Sequence, residues 1–325
     1  MKIVITDYEY ESIAAERRII EAAGHTLCDY QCKQPKQLIP LVRDADAVIT
    51  QYADMNAEVI SALEKCRVIV RYGIGFNNVD VDAAAQKGIY VCNVPDYGVE
   101  EVSDHAVMLI LALAKKLPVY MQAVKKGDWG YTSVVPLQRF CTSTVGLIGF
   151  GRIPQLVARK LSGWGVRMLA YDPWGSLEAA QKLNVTLTDL DTIYAQADYI
   201  SVHCPLTKET QGMIDMAAMQ RMKPTTCLIN TARGGVICEK DLLLALEQGI
   251  IAGAGLDVFE QEPLAPEHEL LRLDQVLVTP HSAWYSETAI ASLKEKVAEE
   301  AVRVLNGEQP LHCVNFHQLS QREKS

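Results

Sequence analysis

The chain has 325 residues, 49% apolar and 22% charged, which is the balance of a soluble globular protein with room for two domains. A formal net charge of −9 without any basic cluster argues against a nucleic-acid surface, because the Lys115-Lys116 and Lys125-Lys126 pairs are too short to form a patch. Nine cysteines show no metal-ligand spacing, and their odd count speaks against a complete disulfide framework, so no metal is expected. The N-terminus, MKIVITD, is a charged strand start without a signal-peptide core. No apolar run is long enough to span a bilayer. A cytoplasmic protein that engages neither membrane nor nucleic acid is expected.

Strands are predicted at 2–6, 25–30, 47–49, 67–70 and 89–92, with helices at 11–23, 56–65 and 81–87. Strands and helices alternating at this length imply a parallel sheet covered on both faces, and this first unit ends near Pro95. Residues 99–117 form a long helical pattern, apolar over more of its circumference than a one-face surface helix needs; packing against a second subunit is expected. Residues 121–141 read as an irregular connection. Beyond them strands are predicted at 144–148, 198–204, 226–230, 251–256 and 275–279, with a further one ending at Asp172. Helices are predicted at 177–183, 189–195, 215–222, 239–248 and 286–305. The tail 311–315 is expected as a strand added back to the first unit.

The stretch Thr144 to Asp172 reads as a strand, a glycine turn, a helix and a second strand. This is the pattern of a dinucleotide-binding βαβ unit. Gly149 allows the tight turn, and Gly151 lets backbone approach a pyrophosphate. The amides of the following helix suit an anion. Asp172, about 20 residues on, suits a free ribose 2′-hydroxyl and so NAD over NADP. Pro154 stands where a third glycine is expected. It removes no hydrogen bond in a first helical turn, but it biases Ile153 away from helix, so a displaced turn is expected.

Ligands of an open α/β sheet bind beyond the carboxyl ends of the strands, and Arg233, Glu262 and His281 all follow predicted strands. Reduction of a 2-keto acid needs a cation on the carboxylate, a general acid and a carboxylate to orient that acid. Arginine, with its planar fork, suits the first role. Histidine suits the second, and a glutamate that fixes the imidazole suits the third.

Over nearly its whole length the chain resembles the D-isomer-specific 2-hydroxyacid dehydrogenases. The resemblance rests on VRYGIGFNNVD, NVPDYGVEEVSDHAVMLIL, VGLIGFGRI, DYISVHCPLTKET, LINTARGGVI, GAGLDVFEQEP and TPHSAW. VRYGIGFNN and HSAWYSE are most similar to the branch containing the C-terminal binding proteins. The resemblance implies Arg233, Glu262 and His281 as catalytic residues. For NAD it implies Gly149, Gly151, Arg152, Ile153, Asp172, His203, Pro205, Thr210, Thr231, Ala232 and Asp257. For the substrate it implies Tyr72, Gly73, Ile74 and Trp284 beside Arg233 and His281. The implied fold is two doubly wound parallel-sheet domains. Residues 1–98 and 282–325 would form a flavodoxin-like substrate domain, and 99–281 an inserted Rossmann NAD-binding domain. The active site would lie in the cleft, where closure excludes water, and the chain would be a homodimer. Its partner would be a small 2-keto or 2-hydroxy acid.

Two other readings stand beside the dehydrogenase. One is an NAD(H)-sensing protein-interaction module like the C-terminal binding proteins. The other is a D-3-phosphoglycerate dehydrogenase without a regulatory domain. The latter is disfavoured, because Thr50-Gln51-Tyr52-Ala53 lacks the expected Arg-Ser pair and no nearby basic residue is expected to serve a substrate phosphate.

Overall fold

The computed structural model describes residues 1–322, which divide into two compact units. One comprises Met1–Gly98 with Ser286–Ser325, and the other Val99–Tyr285. In chain order the first unit begins with β1 (Lys2–Ile5), α1 (Ala14–Ala22), β2 (Thr26–Asp29), α2 (Pro35–Val42), β3 (Ala47–Thr50), α3 (Ala57–Ala62), β4 (Val68–Arg71), α4 (Val81–Lys87) and β5 (Tyr90–Cys92). Its strands form a parallel sheet in the order β2-β1-β3-β4-β5. The strands are short, and β1, β3, β4 and β5 are mostly apolar and buried, as strands covered on both faces require, while edge strand β2 keeps Thr26 exposed. Asn56 and Asp80 start α3 and α4 by accepting the Val59 and Ala83 amides.

Helix α2 is absent from the sequence expectation because its eight residues include Pro35 and Pro40. Pro35 occupies the first turn, where its missing N–H is harmless. Burial of Leu38 and Val42 offsets the one backbone bond that Pro40 cannot make.

The second unit runs through α5 (Val99–Ala114), α6 (Leu117–Lys125), β6 (Thr144–Ile148), α7 (Arg152–Leu161), β7 (Arg167–Tyr171), α8 (Leu177–Lys182), β8 (Val185–Leu187), α9 (Leu190–Gln196), β9 (Tyr199–Val202), α10 (Met216–Met219), β10 (Cys227–Asn230), α11 (Glu239–Glu247), β11 (Gly253–Leu256) and β12 (Val276–Val278). The parallel sheet has the order β12-β11-β10-β9-β6-β7-β8. Chain direction across it reverses between β6 and β9, the switch point where such sheets bind ligands. One core packs α9, α10 and α11 on one face through Ile193, Met219, Leu242 and Leu246. The other packs α5 and α7 through Leu109, Ile110, Val157 and Leu161.

Two sequence expectations change here, at the end of the long helix and at a strand the spacing did not announce. The long helix stops at Ala114, and after Lys116 turns left-handed at φ 49° the chain continues as α6 through part of the segment expected to be irregular. Most of the apolar circumference of α5 is used inside its own unit: Val102, Ala106, Leu109, Ile110, Leu113 and Ala114 are buried. Strand β8 is a three-residue edge strand, too short for alternation to announce it.

The chain closes in the first unit with α12 (Glu287–Leu305) and α13 (Phe316–Arg322). Ser286 caps α12 by accepting the Ala289 amide. Leu293, Val297 and Val304 of α12 join Ile20 of α1 over the sheet, while α2, α3 and α4 cover the other face. The tail adds no full strand: it makes a single antiparallel bridge, Cys92 to Cys313. Residues 282–285 belong with the second unit, because the Ser282 and Ala283 amides donate to Asp257 and the Trp284 indole donates to the His281 carbonyl.

Candidate active site

Strand β6 delivers the chain to Gly149, whose φ is +98°. A Cβ there would lie 2.9 Å from the His203 carbonyl carbon, so side chains are excluded by conformation and by space. Gly151 begins α7 and faces open space. The first-turn amides of α7 have no partners within the helix, which suits a pyrophosphate. Pro154 is buried in that first turn, and Arg152 and Ile153 are helical ahead of it, so the turn is not displaced. At the end of β7 the Asp172 carboxylate accepts the Phe150 amide at 2.7 Å and the Trp174 amide at 2.9 Å. It thereby ties the glycine turn to the position expected to meet a ribose. These residues fit a dinucleotide.

His203, past the end of β9, pairs Nε2 with Ser201 Oγ at 2.9 Å, and burial pushes its imidazole far below the usual value. A neutral ring suits an adenine wall. Thr210 folds the loop after it, with Oγ1 donating to the Pro205 carbonyl. Thr231 and Ala232 follow β10; the Ala232 amide donates to Asn230, and the buried Thr231 hydroxyl has no hydrogen-bond partner among the described residues.

Arg233, Glu262 and His281 come together beyond β10, β11 and β12. His281 Nδ1 and Glu262 Oε2 are 2.6 Å apart, and the second Glu262 oxygen accepts the Phe259 amide at 2.9 Å. The His281 and Glu262 side chains keep 37% and 33% of their surface accessible, so the pair is held but reachable. Burial works to raise the Glu262 carboxyl. The His281 hydrogen bond, the Phe259 amide and the charges of His281 and Arg233 more than offset it, leaving the group below its ordinary value. A carboxyl so lowered stabilises the fold above the ordinary glutamate pKa, and the stabilisation fades as pH falls through the lowered value. The stability difference between wild type and Glu262→Gln, read from urea unfolding, is therefore expected to shrink below about pH 4. A difference that stays constant down to about pH 3 would refute this.

His281 has a backbone φ of +52°, uncommon for a non-glycine residue. Asp257, 1% exposed, holds it there. Its carboxylate accepts Thr279 Oγ1 and the Ser282 and Ala283 amides, and its carbonyl accepts the His281 amide at 2.8 Å. His105 of α5 backs the network, with Nε2 2.9 Å from Thr279 Oγ1. Sequence reasoning did not single out His105 or Thr279. The only signal was a histidine embedded in an apolar helix.

In the first unit, Tyr72 is buried with its hydroxyl donating to Glu16 at 2.9 Å, and it anchors the loop rather than lining it. Gly73 accepts the Val94 amide, and Ile74 accepts the Asn93 side-chain amide at 2.7 Å. Two basic residues stand beside Tyr52 in the fold. Arg71 and Lys33 lie 5.9 and 5.0 Å from its ring centre, and Arg71 reaches so closely over Gly73 that a Cβ there would meet its Nη1 at 1.9 Å. Arg71 ends β4 beside Thr50 in the parallel register, a neighbour relation that linear spacing does not reveal.

Residues 107–283 match the family model for the NAD binding domain of D-isomer specific 2-hydroxyacid dehydrogenases. A glyoxylate reductase of Korarchaeum cryptofilum is 38% identical over 284 residues, covering 86% of each chain. A D-3-phosphoglycerate dehydrogenase of Archaeoglobus fulgidus is 37% identical over 86% of this chain, which spans only 53% of that relative's length. The crystal structure of D-lactate dehydrogenase from Aquifex aeolicus complexed with NAD and lactic acid matches at a TM-score of 0.86 and 27% identity, covering 98% of each chain.

Proposed function

The chain belongs to the D-isomer-specific 2-hydroxyacid dehydrogenase family, and from that premise we propose that it interconverts small 2-keto acids and D-2-hydroxy acids with NADH. The observation that carries this reading is the His281–Glu262 pair at 2.6 Å with the Arg233 charge acting on it. When bound, NADH supplies the hydride that C2 of the keto acid accepts. Arg233 holds the carboxylate and polarises the carbonyl. His281, with Nδ1 occupied by Glu262, presents Nε2 as the proton donor to the carbonyl oxygen. Glu262 fixes the orientation of the ring, and in the reverse direction the same nitrogen accepts the proton.

NADH oxidation measured against glyoxylate, pyruvate and larger aliphatic or aromatic 2-keto acids tests the reading. Turnover on at least one is expected. NADH binding with no turnover on any of them would favour a recruitment module like the C-terminal binding proteins. Such a module has no use for a glutamate holding a histidine.

Asp172 is assigned to the ribose, so NADH is expected to bind at least about tenfold more tightly than NADPH, a carboxylate beside a 2′-phosphate being repulsive. Asp172→Ala is expected to weaken NADH and to narrow that gap, as read by fluorescence titration. Equal affinities in the wild type would overturn the assignment.

Assembly is assigned to α5, α6 and the connection after them. Met108, Leu117, Met121, Val124, Trp129 and Tyr131 are exposed there, Trp129 by 90%, a density of apolar surface that a monomer rarely leaves in water. A homodimer is expected in sedimentation equilibrium, and Trp129→Glu combined with Met121→Glu is expected to weaken it. A wild-type monomer at micromolar concentration would overturn this.

A further inference from the structure

Cys92 ends β5 and is fully buried, and Cys313 lies opposite it, half-buried, in the tail. The two form an antiparallel bridge. The Asn93 amide donates to the His312 carbonyl at 3.2 Å and the Val314 amide to the Val91 carbonyl at 2.8 Å. These bonds flank the cysteines, so Cys92 and Cys313 are a non-hydrogen-bonded pair. Such pairs hold their Cα atoms about 4.5 Å apart with side chains on one face, within the roughly 4.4–6.8 Å that a disulfide spans. Among the described residues no other two cysteines are partners across strands.

Groups besides the thiols hold the register, although Asn315 Oδ1 also accepts the Cys313 thiol at 3.1 Å. Asn315 accepts the Val91 amide at 3.0 Å and donates to the Ile89 carbonyl at 2.9 Å. Glu300, itself buried, accepts the Leu311 and His312 amides at 2.7 and 3.2 Å. The tail is therefore seated on the sheet edge before any covalent bond forms, and joining the sulfurs requires little backbone movement.

We propose that Cys92 and Cys313 are a redox modification site, which a peroxide closes into a disulfide fastening the C-terminal segment to β5. The two thiols are unequal in a useful direction. The hydrogen bond from Cys92 lowers the Cys313 thiol, while that bond and burial raise Cys92. Cys313 is therefore both the more accessible and the more readily deprotonated. Its thiolate attacks one peroxide oxygen, breaking the O–O bond to give the sulfenic acid and hydroxide. The Cys92 sulfur then attacks the sulfenic sulfur. The S–S bond forms, the S–O bond breaks, and hydroxide leaves as water with the Cys92 proton. Two thiols lose two electrons and the peroxide gains them. A dithiol reverses the reaction by exchange.

The site has a direct connection to the substrate loop. Asn93 and Val94, immediately after Cys92, donate to the carbonyls of Ile74 and Gly73. A disulfide at Cys92 would fasten the strand that holds that loop to the tail.

The test is peroxide treatment of the full chain, alkylation of remaining thiols and peptide mapping by mass spectrometry. The expected result is one linked peptide pair containing Cys92 and Cys313, lost on treatment with dithiothreitol. The oxidised wild type is expected to unfold at a Tm several degrees higher, with no rise for Cys313→Ser. The proposal is overturned if Cys313 proceeds to sulfinic acid while Cys92 stays alkylatable. It is equally overturned if Cys313 pairs with another cysteine such as Cys141, or if neither cysteine reacts. The mapping of wild type decides the question even should the variant fail to fold.

Discussion

Replacement of His281 by alanine is expected to lower kcat for 2-keto acid reduction by roughly 10²–10⁴-fold, with NADH affinity unchanged. Glu262 occupies Nδ1 at 2.6 Å, so in the proposed mechanism the other ring nitrogen is the one left to carry the transferred proton. The main chain at this position adds a second, separable expectation. A φ of +52° strains any residue with a Cβ by about 1 kcal/mol or more and strains glycine hardly at all. His281→Gly should therefore fold at least as stably as His281→Ala while being as inactive. Steady-state kinetics with thermal unfolding of both variants separates the roles. Turnover equal to wild type in either would remove His281 from the chemistry.

Replacement of Gly234 by alanine is expected to damage both the fold and the activity. A Cβ there would lie 1.9 Å from the Phe259 carbonyl carbon and 2.1 Å from its oxygen. Both are backbone atoms and cannot swing aside. Overpacking typically costs about 1–3 kcal/mol, and a clash of this depth with main chain belongs at the upper end. Gly234 follows Arg233, and Phe259 donates its amide to Glu262. Moving these two segments apart therefore also moves the arginine from the carboxylate. Urea unfolding together with kcat/KM is the measurement: both are expected to fall, and wild-type activity at wild-type stability would show that the close approach is unnecessary.

The glycine turn was legible because it is local. Gly149, Gly151 and Asp172 lie within one strand–helix–strand unit, and their spacing alone specifies the turn and the distal carboxylate. Pro154 was legible only as a departure from that spacing, and its harmlessness depended on the helix beginning at Arg152. Helix α2 escaped because two prolines outweigh a helical pattern in a short window, whereas burial of Leu38 and Val42 outweighs them in the fold. Arg71 escaped for a different reason. Its proximity to Tyr52 arises from β3 and β4 being paired, and strand pairing is not written in linear spacing. Asp257 was assigned to the cofactor from resemblance, while its carboxylate oxygens also accept three donors from the 279–283 segment, an organising role that only the folded loop displays.

The sequence by itself determined the alternation of buried strands and covering helices, the nucleotide turn, and the identity of the three groups at strand ends. Each of these depends on the hydrophobic period or on the chemistry of single side chains. Only the tertiary structure decided that His281 sits left-handed on Asp257, that His105 backs Thr279, that Gly234 lets two loops touch, and that Cys313 faces Cys92. Each of those depends on groups far apart in the chain being brought within hydrogen-bond or van der Waals range. Strand order and close packing set that distance, and neither has a local code.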